Sequence, residues 1–312
     1  MMKHAFNTLT VIILLLSCNY ISATTEKTPI SKSVIDEFKS NFSSEDIGKL
    51  RTIYKKYLLQ ANYPIGDIER DVSYGDHPLQ KLDIHHNQSK NDNNSPVIIF
   101  IHGGAFVRGD KSDHAIFDNV LNYFTRNGIT GINANYRLAP DYMWPSGSQD
   151  VAKIIEWVRS NAKSLNIDKN NIFLMGHSAG AAHVATYSFN EKLQVDNGND
   201  GVKGSILLSG IYANVSSTSK ENYYGFDKNN LPINFIDGRS IPLFIIDAEY
   251  DKTSTQIEAI ELILKLCQIQ TICPNHKQIP GHNHYSMMYH FNTHDDSIAR
   301  DILDFINNKK VH

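Results

Sequence analysis

One serine, three clustered carboxylates and two late histidines have the types and spacing for nucleophilic catalysis. Ser178 is the centre of Gly176-His177-Ser178-Ala179-Gly180, a G-x-S-x-G pattern. Asp247, Glu249 and Asp251 crowd a single stretch downstream, and His282 and His284 follow near the C-terminus. A serine hydroxyl is a poor nucleophile until a base takes its proton, and an imidazole held in one tautomer by a carboxylate is such a base. By type alone, any of the three carboxylates and either histidine suits these roles. The chemistry they predict is acyl transfer through Ser178. The 14 histidines include no H-E-x-x-H or comparable ligand spacing, so neither a metal nor a cofactor is expected.

These groups need a scaffold that brings them to one place. The apolar run over 171–175 reads as a strand, Ser178 as a tight turn, and the Ala-rich stretch over 179–187 as a helix, the strand, turn and helix context of a nucleophile elbow. The N–H groups and positive dipole end of that helix face any oxyanion forming at Ser178. A second apolar run, 96–101, predicts a strand buried on both faces and delivers His102-Gly103-Gly104-Ala105-Phe106 to its C-terminal end. Open α/β sheets keep their chemistry at that edge. Around these lie an expected hairpin (68–72 and 80–85), a helix over 113–127, a strand over 129–135 and a helix carrying Val151, Ile154, Ile155 and Val158. Strands over 204–209, 241–246 and 276–279 follow, with helices over 255–266 and 296–306. Residues 211–239 have no clear periodicity and are expected to wall a pocket. The alternation predicts an α/β fold, a mostly parallel sheet with helices on both faces.

The 312 residues, 41% hydrophobic and 20% charged, suit one large α/β domain, and a formal charge of −3 gives no basic footprint for nucleic acid. Residues 1–23 read as a signal peptide, because Lys3 and His4 precede an apolar run over 9–16 that is too short to span a bilayer. Ile21-Ser22-Ala23 suits plain cleavage, whereas Leu15-Leu16-Ser17-Cys18 resembles a bacterial lipobox, which would lipidate Cys18 and attach the chain to a membrane. Either reading implies export, to the periplasm, a membrane or the medium. The remaining 24–312 is expected to form a single domain that opens with a helical segment over about 31–60. Cys267 and Cys273 suit either a bridge or two free thiols.

Four motifs recur in order over about residues 65–308. They are His102-Gly103-Gly104-Ala105-Phe106 with Gly109-Asp110-Lys111; Tyr136-Arg137-Leu138-Ala139-Pro140 with Pro145 and Asp150; the Ser178 elbow; and Glu249-Tyr250-Asp251 with Asn283-His284-Tyr285. Through them the sequence resembles the α/β-hydrolase superfamily, and within it the esterases of the hormone-sensitive-lipase and carboxylesterase-like group. Kynurenine formamidase-type enzymes are also similar. The order serine, acid, histidine is that of this superfamily.

The resemblance implies Ser178 as nucleophile, His284 as base and Asp251 as its carboxylate, with backbone N–H groups of Gly103, Gly104 and Ala179 forming an oxyanion hole. It implies that Glu249 is structural, that His102 and His177 shape loops, and that Arg137, Asp110 and Asp150 tether loops through salt bridges. Ala105 replaces the third glycine of the commonest loop, and Ala248 and Lys252 flank the acid turn where the family often has glycine and proline. The implied activity is hydrolysis of small or aryl carboxylic esters, a small-molecule partner, through an acyl-enzyme intermediate. An arylformamidase or amidase would use the same triad, and a catalytically inactive hydrolase fold used for binding is a further alternative. Phe106, Trp144 and Tyr285, with Tyr142, Tyr223 and Tyr224, are candidates either to line an acyl or aryl pocket or to pack in the core.

Overall fold

Alternate side chains along each apolar run point to opposite faces, and each face meets its own layer of helices. A computed structural model describes residues 46–61, 65–89, 94–214, 218–225, 227–236, 241–270, 273–293 and 295–308. Cys18, the signal segment and the first part of the expected N-terminal helical region lie outside them. The elements are α1 (Asp46–Ala61), β1 (Ile68–Ser73), β2 (Lys81–His85), β3 (Ser95–Ile101), α2 (His114–Arg126), β4 (Thr130–Ala134), α3 (Ser146–Ser160), α4 (Ala162–Leu165) and β5 (Ile167–His177). They continue as α5 (Ala179–Phe189), β6 (Val202–Leu208), α6 (Thr218–Tyr224), β7 (Leu243–Ala248), α7 (Thr253–Ile269), β8 (Asn275–Ile279), α8 (Ser286–Tyr289) and α9 (Ser297–Ile306). The stretch expected to be irregular after β6 contains α6 and two single 3-10 turns, Lys228–Asn230 and Pro232–Phe235.

The strands form one sheet in the order β1-β2-β4-β3-β5-β6-β7-β8. The β1–β2 and β2–β4 pairs are antiparallel, and the pairs from β4 through β8 are parallel. On one face Val97, Ile99 and Ile101 of β3 pack with Val151, Ile154 and Ile155 of α3, Val184 of α5 and Leu262 of α7. On the other, Ile98 and Phe100 pack with Val120 and Phe124 of α2, Ile302 of α9, and Leu50 and Tyr54 of α1. Continuous apolar strands thus supply both cores at once.

The parallel pairing has a positional consequence. Ile101 pairs with Gly176, His177 with Leu208, Ile246 with Leu208 and Ala248 with Ile279, so the chain leaves β3, β5, β6, β7 and β8 along one edge. Beyond α7, Cys267 and Cys273 form a disulfide that ties the end of this helix to the approach to β8.

The loop after β3 is fastened to the sheet by a buried cation. Lys111 Nζ lies 2.6 Å from carboxylate oxygens of both Asp83 on β2 and Asp71 on β1, and Lys111 N–H donates to Asn135 Oδ1 at 2.6 Å. Burial disfavours the charge on Lys111, yet its two carboxylate partners outweigh that and raise its pKa. Asp83, fully buried, retains Arg70 Nη1 at 3.0 Å as a second cation. Lys111→Ala is expected to lower stability by about 2 kcal/mol, the scale of a buried charge-assisted bond. A urea midpoint that does not move would mean that Arg70 and the Asp71 N–H satisfy Asp83 without the lysine.

Candidate active site

Ser178 occupies the first position after β5, with φ 55° and ψ −118°. A residue with a side chain adopts such a backbone only when its surroundings impose it. Here the imposition is steric. A Cβ on Gly180 would lie 2.1 Å from the Ile101 carbonyl oxygen, and one on Gly176 would lie 2.4 Å from that of Gly180. The start of α5 rests directly on the ends of β3 and β5, so the chain reverses within one residue and lifts the serine off the sheet.

Ser178 Oγ lies 3.0 Å from His284 Nε2, and His284 Nδ1 lies 3.0 Å from Asp251 Oδ1. A carboxylate only accepts, so Nδ1–H donates to Asp251 and leaves the Nε2 lone pair facing the serine hydroxyl. Asp251 Oδ2 accepts from Ser209 Oγ at 2.5 Å and from Ala248 N–H at 2.9 Å. Burial pushes the Asp251 carboxyl up, but His284, Ser209 and the Ala248 amide together hold it below its ordinary value. It therefore stays ionised behind the imidazole.

The other groups that suited these roles by type are engaged elsewhere. Asp247 contacts His276 at 2.6 Å and Gln278 at 2.7 Å. Glu249 accepts the Gly281 N–H at 2.7 Å, which bolts the acid turn to the loop that carries His284. His282 is buried between Ser286 Oγ at 3.1 Å and Asp295 Oδ2 at 3.3 Å. Asn283 Oδ1 accepts the N–H groups of Tyr285 and Ser286, each at 3.0 Å, and so shapes the turn that presents His284. His177 donates from Nε2 to the His284 carbonyl oxygen at 2.8 Å, while burial and the neighbouring His284 push its pKa down to about 3, keeping it neutral.

Gly103 lies against the serine, where an added Cβ would be 3.0 Å from Ser178 Cβ. Ala179 opens α5, so its N–H belongs to the helix end that has no intrahelical acceptor. The loop carrying Gly103 and Gly104 folds on itself: Val107 and Arg108 N–H donate to the Gly104 carbonyl at 3.3 and 3.1 Å, and Gly104 has φ 139°. His102 stacks on Tyr136 at 4.6 Å and reaches Asn135 Oδ1 at 3.1 Å. Arg137 grips Asp150 through Nε at 3.0 Å, a salt bridge of the expected kind. Asp110 differs from expectation, for it tethers its loop through Asn135 Nδ2 at 2.9 Å and Ser112 N–H at 2.7 Å instead of through a cation.

A cavity of about 1170 Å³ opens over Ser178, with Gly103, Gly104, His177, Ser209 and His284 among its lining residues. Its apolar wall is Ile116, Phe117, Ile211, Tyr285 and Met288. Tyr285 thus lies where the pocket expectation put it, but Phe106 and Trp144 do not. Phe106 has φ 70°, which turns its ring inward to stack on Tyr223 at 4.6 Å, and it is fully buried. Trp144 stacks on Phe235 at 5.5 Å, away from the lining. Tyr223 and Tyr224 belong to the same buried cluster as Phe106.

Two polar residues that support the site carry no signal in the sequence. Ser209, behind Asp251, is one. Glu258 on α7 is the other: its Oε2 accepts N–H groups of Tyr212, Ala213 and Asn214 at 2.7, 2.5 and 3.2 Å, while Oε1 accepts Lys220 Nζ at 2.7 Å. It anchors the cavity wall that follows β6. A serine ending a strand and a glutamate inside a helix carry no local motif, so only the pairing of β6 with β7 could have pointed to Ser209.

Residues 82–206 match the BD-FAE family model, a stretch that holds the 102–111 loop and Ser178 and ends before Asp251 and His284. Esterase LipC of Mycobacterium tuberculosis is 36% identical over 111 residues, 36% of this chain and 27% of that one. Arylesterase of Saccharolobus solfataricus is 34% identical over 145 residues, 46% of this chain and 45% of that one. The chain thus spans less than half the length of either relative. The solved Pyrobaculum calidifontis esterase superposes with a TM-score of 0.68 at 18% identity, over 90% of this chain and 98% of that one, and so shares the fold. The ordered motifs, the mostly parallel eight-stranded sheet and these likenesses give the chain an α/β-hydrolase fold, similar to that of the esterases of the hormone-sensitive-lipase and carboxylesterase-like group.

Proposed function

We propose that the chain is a serine-dependent carboxylic ester hydrolase that acts on small or aryl esters through an acyl-enzyme intermediate. The observation that carries this reading is the relay of two 3.0 Å contacts from Ser178 through His284 to Asp251, at the floor of the cavity. His284 Nε2 takes the hydroxyl proton as Ser178 Oγ attacks the ester carbonyl carbon. The N–H groups of Ala179 and of Gly103 or Gly104 receive the resulting oxyanion, at about 3 kcal/mol per donor in comparable sites. The tetrahedral species collapses as His284 returns the proton to the departing alkoxide. Water, deprotonated by the same imidazole, then attacks the acyl-serine, and the imidazolium returns that proton to Ser178 Oγ as the acid leaves. The apolar wall of Phe117, Tyr285 and Met288 suits a small alkyl or flat aryl portion.

The arylformamidase reading uses the same groups, and a non-catalytic binding role needs none of them. p-Nitrophenyl acetate and butyrate, compared with N-formylkynurenine, separate the first two; a preference for the formamide by orders of magnitude would reject the ester assignment. Ser178→Ala is expected to cut kcat/KM on the esters by at least about 10⁴-fold, as loss of a triad nucleophile does. Equal slow turnover by variant and wild type would leave only a binding role.

Ser209→Ala tests the support of Asp251. Losing a hydrogen bond to a buried carboxylate is worth roughly 1.5–3 kcal/mol, so kcat is expected to fall about tenfold or more with KM little changed. A rise in KM alone would instead make Ser209 a pocket-wall residue.

Export is part of the same reading and is supported by the Cys267–Cys273 disulfide, which suits an oxidising compartment. Mass spectrometry of protein from the membrane fraction is expected to find a diacylglyceryl-modified N-terminal Cys18. A chain beginning unmodified at Thr24 would replace the lipid anchor with plain secretion.

A further inference from the structure

Charge on the cavity wall has no part in the steps above. The lining contains the cations Arg51, Arg108, Lys220 and Lys252 and the anions Asp110, Asp113 and Glu258, a balance of four against three in a chain whose formal charge is −3. Two cations are neutralised by carboxylates of the chain itself, since Arg51 pairs with Asp113 and Lys220 with Glu258. Asp110 gives its oxygens to Asn135 and Ser112. Arg108 and Lys252 are different. Both are exposed, and neither head group has a hydrogen-bond or ion-pair partner among the described residues.

Their backbones, by contrast, are fixed by the site itself. Arg108 N–H closes the loop that carries Gly103 and Gly104. Lys252 directly follows Asp251, and its carbonyl accepts the N–H groups of Thr255 and Gln256 at 2.8 and 3.2 Å. One unneutralised cation is therefore mounted beside the candidate oxyanion loop and another beside the acid turn, both on the cavity that contains Ser178. Lys252 is also a departure from the family pattern at that turn. Like charges held on a concave, partly apolar wall focus their field on whatever enters, and a guanidinium pairs with a carboxylate through two parallel hydrogen bonds.

We infer that Arg108 and Lys252 select esters that carry a carboxylate. This inference rests on the esterase reading and adds a substrate class to it. The carboxylate belongs to the acyl or to the alcohol portion of the ester, and the two sources are separable by experiment.

The test uses two matched pairs of esters. 4-Nitrophenyl hexanoate and mono-4-nitrophenyl adipate differ by a charge on the acyl side; 4-acetoxybenzamide and 4-acetoxybenzoate differ by one on the alcohol side. The quantity read is the ratio of kcat/KM for the charged member to that for the neutral one, in wild type and in Arg108→Gln/Lys252→Gln, which cancels the intrinsic reactivity of each ester. The ratio is expected to fall about tenfold or more in one pair, which identifies the side, and the wild-type ratio in that pair is expected to shrink severalfold in about 0.5 M NaCl. A ratio that stays within about twofold in both pairs overturns the selection. Should the double variant not fold by circular dichroism, Lys252→Gln alone is read in the same way, with a fall of about threefold expected and an unchanged ratio again overturning the idea. If wild type hydrolyses none of the four esters faster than Ser178→Ala does, the esterase reading itself fails, and the substrate class goes with it.

Discussion

Helix α5 starts so close to the ends of β3 and β5 that there is no room for a side chain between them. The 2.1 Å from a hypothetical Gly180 Cβ to the Ile101 oxygen sets this limit. Every residue of α5 is buried, so the packing that draws the helix onto the sheet is large compared with the roughly 1–3 kcal/mol that an unfavourable φ/ψ costs at Ser178. The serine is thus raised by the core beneath it, and its position depends on two glycines more than on any hydrogen bond of its own. Relaxing that contact would lower Ser178 toward the sheet and move its hydroxyl away from His284.

Around this point the polar groups form shells of increasing burial. His284 is partly accessible, Asp251 is buried behind it, and Ser209 and the Ala248 amide stand behind Asp251. Each outer group fixes the orientation of the next one inward. Burial alone pushes the Asp251 carboxyl up; its three donors outweigh that and preserve a negative charge where an imidazolium would form. His177 shows the opposite outcome. With a carbonyl as its acceptor and no carboxylate, burial prevails and the ring stays uncharged, so it adds no competing positive charge at the serine.

The strands and the elbow were readable because their signals are local. Pro96 to Ile101 and Ile172 to Met175 are apolar without interruption, which in an α/β pattern means burial on both faces, and the G-x-S-x-G turn lies between a strand and a helix. Choosing Asp251 over Asp247 and Glu249 required the family resemblance, since three carboxylates within five residues do not differ by type. Their difference is tertiary: Asp247 meets His276 across β8, and Glu249 meets the Gly281 amide. Phe106 stays open between pocket and core in the sequence because the direction of its ring follows from a backbone φ of 70°, which no spacing encodes. Glu258 was invisible for another reason, as its partners lie 38 to 46 residues away in a stretch with no motif.

Glu258 also bears on how this molecule can change. No proton-transferring group proposed for the reaction lies in residues 211–236, yet that stretch contributes Ile211 and Lys220 to the cavity. It is held to α7 largely through the backbone amides of Tyr212, Ala213 and Asn214, which any sequence except one with proline at those positions would supply. A fastening made mostly to main chain, with the Lys220 side chain added to it, makes this attachment tolerant of sequence change at 212–214 while the serine, acid and histidine stay put. Divergence among such chains, or deliberate grafting of one wall for another, can therefore proceed at this attachment without moving the groups around Ser178.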